Sequence, residues 1–112
     1  MTTVVAIIRP KQFDQVKEAL AALGVQGMTV SEVRGHGRQK GHTETYRGRE
    51  YDISFLPKLK IEIVTQDERV EAIVETIIKN AATGEIGDGK IFLYKAEEAI
   101  RIRNQDRGDI AL

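Results

Sequence analysis

The chain has 112 residues, of which 41% are hydrophobic and 30% charged, enough for one compact domain with a modest core and too few for a second. Lys plus Arg and Asp plus Glu both number 17, so no net field holds a nucleic-acid backbone or an anionic membrane, and any anion site must be local. The absence of cysteine excludes a disulfide framework, a thiolate metal site and a cysteine nucleophile.

Thr2 to Arg9 is a short run rich in Val and Ile that stops at Pro10, the pattern of a buried strand. It is too short to span a bilayer and lacks the basic leader and cleavage site of a signal peptide, which points to a cytoplasmic protein. The period then changes. Phe13, Val16, Leu20 and Leu23 fall on one helical face, and Gly24 stands where a left-handed cap is needed. Met28 to Arg34 reads as a second strand ending at Gly35.

His36 to Ser54 follows, about 20 residues of charge and glycine where a short hairpin would suffice, so a functional arm is expected. Tyr46 and Tyr51 sit in it among Glu44, Arg47, Arg49 and Glu50, and contact surfaces favour Tyr and Arg. His36 and His42 lack metal-ligand spacing and read as solvent-exposed.

Leu56 to Thr65 alternates, with Leu59, Ile61 and Ile63 on one face and Lys58, Lys60 and Glu62 on the other. Val70, Ile73, Val74, Ile77, Ile78 and Ala81 recur at helical spacing, and Thr65 with Glu68 fits a capping box. Ile91 to Lys95 reads as a strand, and Ile100 to Arg103 as a last short one before a polar tail over 104–112. The order β-α-β-β-α-β predicts an α+β, ferredoxin-like sandwich: an antiparallel four-stranded sheet with both helices on one face and a long loop between the second and third strands. The uncovered sheet face predicts an oligomer.

Gly84-Glu85-Ile86-Gly87-Asp88-Gly89-Lys90 has the glycine spacing of a phosphate-binding loop. Ile91 stands where a P-loop NTPase needs Ser or Thr for magnesium, and the loop follows a helix and precedes a strand, the reverse of that motif. The plain alternative is a glycine-rich turn capping the second helix. Arg101 and Arg103 alternate along the expected final strand and so point the same way, with Lys90 nearby; an edge-strand guard against aggregation is the other reading of that pair. Loop, lysine and arginines together favour a polyphosphate ligand. No carboxylate pair, histidine dyad or serine nucleophile accompanies them, so binding is the better inference than turnover.

Several motifs resemble the PII nitrogen-regulatory signal-transduction family across nearly the whole chain: 37–44 (GRQKGHTE) is similar to the start of its T-loop, 46–51 (YRGREY) to its tyrosine signature, and 83–93 (TGEIGDGKIFL) to its B-loop. Ile7-Ile8-Arg9-Pro10 and Ala99-Ile100-Arg101-Ile102-Arg103 agree as well. The resemblance implies a single domain over 1–112, with a T-loop at 36–54 and a B-loop at 82–90, assembled as a homotrimer with ATP or ADP in each cleft between subunits. It implies nucleotide contacts from Thr29, Gly35, Gly37, Arg38, Gln39, Glu62, Val64, Thr83, Gly87, Asp88, Gly89, Lys90, Arg101 and Arg103. It further implies 2-oxoglutarate beside the phosphates through Mg2+, with Gln39 on the metal, Lys58 on a carboxylate, and Lys40 and Gly41 adjoining. Tyr51 matches the tyrosine nucleotidylated in many lineages, while Arg49 stands where the signature commonly has a small residue.

The implied function is a nitrogen, carbon and energy regulator acting through the T-loop on an ammonium channel or on a nitrogen-metabolism enzyme or regulator. Membrane contact is expected only through a channel partner. The alternative is a small ATP-hydrolysing enzyme, for which Asp88 is the one nearby candidate base. Direct nucleic-acid binding is read against on zero net charge and on Phe92 and Tyr94, taken to point to opposite faces of a strand.

Overall fold

The computed structural model describes residues 1–36, 43–46, 49–52 and 55–112, with 43–46 and 49–52 as backbone alone. Strand β1, Thr2–Ile8, ends just before Pro10, which has no N–H for a ladder and opens a short turn of 3-10 helix, Pro10–Gln12. Helix α1, Phe13–Leu23, buries Val16 and Leu20 and packs Phe13 and Leu23 at their margin. It stops at Gly24, whose φ of 97° is left-handed and lets its N–H return to the carbonyls of Leu20 and Ala21.

Strand β2, Thr29–Gly35, follows. Inside the 36–54 segment, β3 (Thr43–Tyr46) and β4 (Arg49–Asp52) pair antiparallel as a separate ribbon, so part of the arm has regular structure. The ends of the arm meet: the rings of His36 and Phe55 lie 5.1 Å apart. Strand β5, Leu56–Thr65, helix α2, Val70–Ala81, and strand β6, Gly89–Lys95, complete the fold.

The main sheet has the order β2-β5-β1-β6 with every neighbour antiparallel, the expected ferredoxin-like arrangement. Register sorts its faces. Val4, Ala6 and Ile8 pair with Ile63, Ile61 and Leu59, and this face packs on Val16, Leu20, Ile73 and Ile77 to form the core. Thr29, Glu62, Val5 and Phe92 make one row across the other face, and Ser31, Lys60, Ile7 and Lys90 the next. Among the described residues no helix covers that face. Val64, Phe92 and Tyr94 are 41%, 45% and 57% exposed there.

Four expectations are corrected. The start of α2 has no capping box: Thr65 remains in β5, Gln66 adopts the extended cap conformation without a side-chain bond, and a 3-10 turn, Asp67–Arg69, leads into the helix. Ile78 leaves the buried stripe at 53% exposure, because it sits at the edge of α2, beside the groove toward β6. Ile100–Arg103 is not a strand. The chain turns through Arg101–Asn104, Gln105 takes a φ of 64°, and only Ile100 and Arg107 form an isolated bridge before a short helical turn, Gly108–Ala111. Phe92 and Tyr94 share the open face, opposite Val5 and Thr3, since residues two apart in a regular strand point the same way.

Candidate functional site

Helix α2 ends when Ala82 becomes extended, and residues 82–89 carry the chain back to the sheet. Gly89 meets the end of β1 so closely that a Cβ would lie 1.7 Å from the carbonyl oxygen of Ile7, and its φ of 104° independently selects glycine. The glycine pattern thus has a structural reason at this position whatever the loop binds.

The loop is held from inside by Asp88. Its carboxylate accepts hydrogen bonds from Thr83 Oγ1, from the Thr83 N–H at 2.7 Å, from the Gly84 N–H at 2.9 Å and from Arg9 Nε at 3.1 Å. The Thr83 hydroxyl, followed by the Thr83 amide, Arg9 and the Gly84 amide, keeps the Asp88 carboxyl well below the usual carboxylate range against a partial desolvation. These four donors engage the carboxylate within the loop itself.

Two cations from the sheet also reach the loop. Arg9, just past β1, donates through Nη2 to the carbonyl oxygen of Ile86 at 2.8 Å, and Lys58 of β5 donates to the carbonyl oxygen of Gly87 at 2.6 Å. Lys58 is only 8% exposed, and burial, then the nearby Arg9 charge, lowers its pKa, with Asp88 opposing. Gly35 lies against its stem, 3.3 Å separating an added Cβ from Lys58 Cγ. Lys90 follows the loop on the open face, opposite Ile7 and exposed.

The residues named from sequence fall into three groups. Thr83, Gly87, Asp88, Gly89, Lys90 and Lys58 gather around the loop, and Gly35 adjoins them. Thr29 and Glu62 are register partners on the open face with Val64 two residues along, and Glu62 pairs with Lys60 at 3.0 Å. A cleft of about 370 Å3 lies at that end of the sheet, between residues 24–27 and Ile63–Gln66, with Asp109 and Leu112 of the tail on its rim.

Arg101 and Arg103 do not join Lys90 by strand alternation, because no strand exists there. Arg101 instead binds Asp106 at 3.1 Å and the Ile110 carbonyl at 2.7 Å, and Arg103 is exposed in the turn. Gly37, Arg38, Gln39, Lys40, Gly41 and His42 lie outside the described residues, as do the side chains of Tyr46, Arg49 and Tyr51.

Arg9 is the functional candidate that sequence reasoning left without a role. Its signal was weak: a single cation where a buried strand meets a proline.

A family model described as Nitrogen regulatory protein P-II matches residues 1–106. The chain is 58% identical over 112 residues to Nitrogen regulatory protein P-II of Rhizobium etli, with both chains fully covered. It is 58% identical over its full length to Nitrogen regulatory protein P-II 2 of Methanothermobacter thermautotrophicus, covering 97% of that protein. To Nitrogen regulatory protein P-II 1 of Escherichia coli K12 the identity is 56%, again with both chains fully covered. With a family match over nearly all its length and relatives of this identity, the chain belongs to the nitrogen regulatory protein P-II family.

Proposed function

We propose that the protein is a nitrogen, carbon and energy regulator that binds ATP or ADP and 2-oxoglutarate and controls target proteins through the arm at 36–54. Family membership supports the regulatory role, since the relatives are named as nitrogen regulatory proteins. The observation that carries the ligand reading is the glycine loop, whose Ile86 and Gly87 carbonyls are engaged by Arg9 and Lys58 and which leads directly into Lys90. A loop with carbonyls drawn inward and an exposed lysine beside it suits a polyphosphate.

Nucleotide would lie on the open face, its phosphates at 87–90 and its base toward Thr29, Glu62 and Val64. Gly35, Gly37, Arg38, Gln39 and Thr83 belong to the same proposed set, with Arg101 and Arg103 contributed across a subunit boundary. The exposed Val64, Phe92 and Tyr94 support a homotrimer in which this face is covered by further copies.

Lys58 would meet a carboxylate of 2-oxoglutarate, with Gln39, Lys40 and Gly41 adjoining it. A dianion beside a triphosphate is repelled unless a divalent cation lies between them, and Mg2+ would supply that charge, held by phosphate oxygens, the 2-oxo acid and the Gln39 amide oxygen. This donor set fits Mg2+, which commonly keeps phosphate oxygens among its ligands. Because Gln39 begins the arm, effector binding would reshape what the arm presents to a target, an ammonium channel or a nitrogen-metabolism enzyme or regulator. A target preferring another arm conformation would then lower 2-oxoglutarate affinity by the same factor.

The test is a calorimetric titration of 2-oxoglutarate into protein with ATP and Mg2+, with ADP and Mg2+, and with ATP and a chelator. Binding is expected only in the first. Equal binding in all three would sink the mechanism, and light scattering that finds a stable monomer at micromolar concentration would remove the proposed cleft.

A further inference from the structure

Asp88 is an anion in the middle of a loop read as an anion site. A carboxylate facing phosphate would oppose binding, yet this one turns back into the loop and accepts from two successive amides, those of Thr83 and Gly84, and from Arg9. Arg9 is itself shared, because its Nε goes to Asp88 and its Nη2 to the Ile86 carbonyl. The Arg9 guanidinium thus joins the two sides of the loop to the end of β1.

The consequence lies in the peptide planes. In a trans peptide the C=O and the following N–H point in opposite directions. With the Ile86 oxygen drawn onto Arg9, the Gly87 N–H is directed away from Arg9; with the Gly87 oxygen drawn onto Lys58, the Asp88 N–H turns from the buried amine, where it makes only a long 3.4 Å turn bond to the Glu85 carbonyl. Arg9, Lys58 and the turn bond to Glu85 thus fix the orientation of both peptide planes at the start of the 87–90 stretch.

We propose that Asp88 and Arg9 are positioning residues of the nucleotide site: without their side chains touching the ligand, they anchor the 82–90 loop so that its backbone and Lys90 are held in place for the phosphates. The proposal rests on the nucleotide-binding reading above and extends it to two side chains whose contacts are internal. It carries a sign that separates it from simple electrostatics. Removing a negative charge beside a phosphate site should tighten binding; removing an anchor should loosen it.

The experiment compares wild type, Asp88→Asn, Asp88→Ala and Arg9→Gln, with Lys90→Ala as the control that removes a cation without removing the anchor. Affinities for ATP and ADP are measured by calorimetry with Mg2+ and with a chelator, and amide hydrogen exchange is followed at Thr83 and Gly84 against the β1 amides of Val4 and Ala6. The expected result is at least tenfold weaker binding of both nucleotides in Asp88→Ala, a smaller loss in Asp88→Asn, and the same direction with and without Mg2+. Exchange at Thr83 and Gly84 should quicken by at least tenfold in the Asp88 variants, at Val4 and Ala6 stay unchanged, and in Lys90→Ala remain slow throughout.

Tighter or unchanged nucleotide binding in Asp88→Asn and Asp88→Ala overturns the proposal, as does wild-type exchange at Thr83 and Gly84. A weakening that vanishes in chelator also overturns it, since it would make Asp88 a metal ligand. A wild type that binds neither nucleotide defeats the underlying reading and the positioning role with it, while the exchange rates still report whether Asp88 anchors the loop.

Discussion

Lys58 and Gly87 are joined by a 2.6 Å hydrogen bond from the buried ammonium to the loop carbonyl, a contact spanning 29 residues of sequence. The same side chain is the one proposed to meet a carboxylate of 2-oxoglutarate. Lys58→Met should therefore abolish 2-oxoglutarate binding in the presence of ATP and Mg2+, and calorimetry showing unchanged affinity would remove Lys58 from the site. Its titration adds a second readout. Burial lowers the folded pKa, so the charged form costs stability at neutral pH and that cost is relieved as pH rises through the folded value toward about 10.4, the unfolded one. Urea unfolding should show wild type gaining stability relative to Lys58→Met as pH rises toward about 10.4, the unfolded value.

Lys90→Ala should weaken ATP binding by roughly 1.5–3 kcal/mol, the range for a hydrogen bond to a charged group. The double variant Arg101→Ala with Arg103→Ala should cost more. ATP affinity unchanged in both would return the glycine loop to a plain cap of α2.

Asp67 ties the start of β1 to the entry of α2. It accepts from Thr2 Oγ1 at 2.6 Å, from the Met1 amino group at 3.0 Å and from Lys95 at 3.2 Å, and these contacts, Thr2 foremost, hold its carboxyl well below the usual carboxylate range. A depressed folded pKa gives stability that is fully present above the unfolded value of about 3.9 and lost as pH falls toward the folded one. Asp67→Asn should flatten the acid limb of stability below about pH 4 while leaving Lys58-dependent alkaline behaviour intact. An acid limb of unchanged slope, measured by urea unfolding across that range, would contradict this.

Gly89→Ala should destabilise the fold by about 2–5 kcal/mol, because the methyl meets the Ile7 carbonyl at 1.7 Å and the backbone holds a φ of 104°. Gly84→Ala has the same left-handed constraint but open space around its Cβ, so its cost should be smaller. Equal unfolding midpoints for the two variants would show that close approach is not what selects glycine at position 89.

Tyr51 is the expected modification site if the source cell has a nucleotidylyltransferase. It stands in β4 opposite Glu44, while Tyr46 pairs with Arg49 at the other end of the ribbon. Mass spectrometry of protein from nitrogen-starved cells should find the adduct on Tyr51; an adduct on Tyr46 alone would refute the assignment.

Periodicity by itself determined both helices and β5, while β1, β2 and β6 were legible as short runs of strand-forming residues. Val16 with Leu20, and Ile73 with Ile77, repeat at the spacing of a helix, and Ile61 with Ile63 at that of a strand, so each segment carries its own record of which side meets the core. Short segments carry no such record. Four alternating residues at Ile100–Arg103 fit a strand and a turn equally well, and the choice fell to partners just beyond the segment, with Arg101 drawn to Asp106 and Ile110 and Gln105 in a left-handed conformation. The entry of α2 was likewise decided from outside, by Thr2 and Lys95 meeting Asp67 in place of a local capping box. The glycine spacing of the loop was legible, whereas its orientation was not, because that depends on Arg9 reaching Asp88 across 79 residues and Lys58 reaching Gly87. Local preference is written into neighbouring residues and can be read from them; which charged side chain from one end of the chain satisfies a carbonyl or carboxylate near the other emerges only when the sheet brings its strands together.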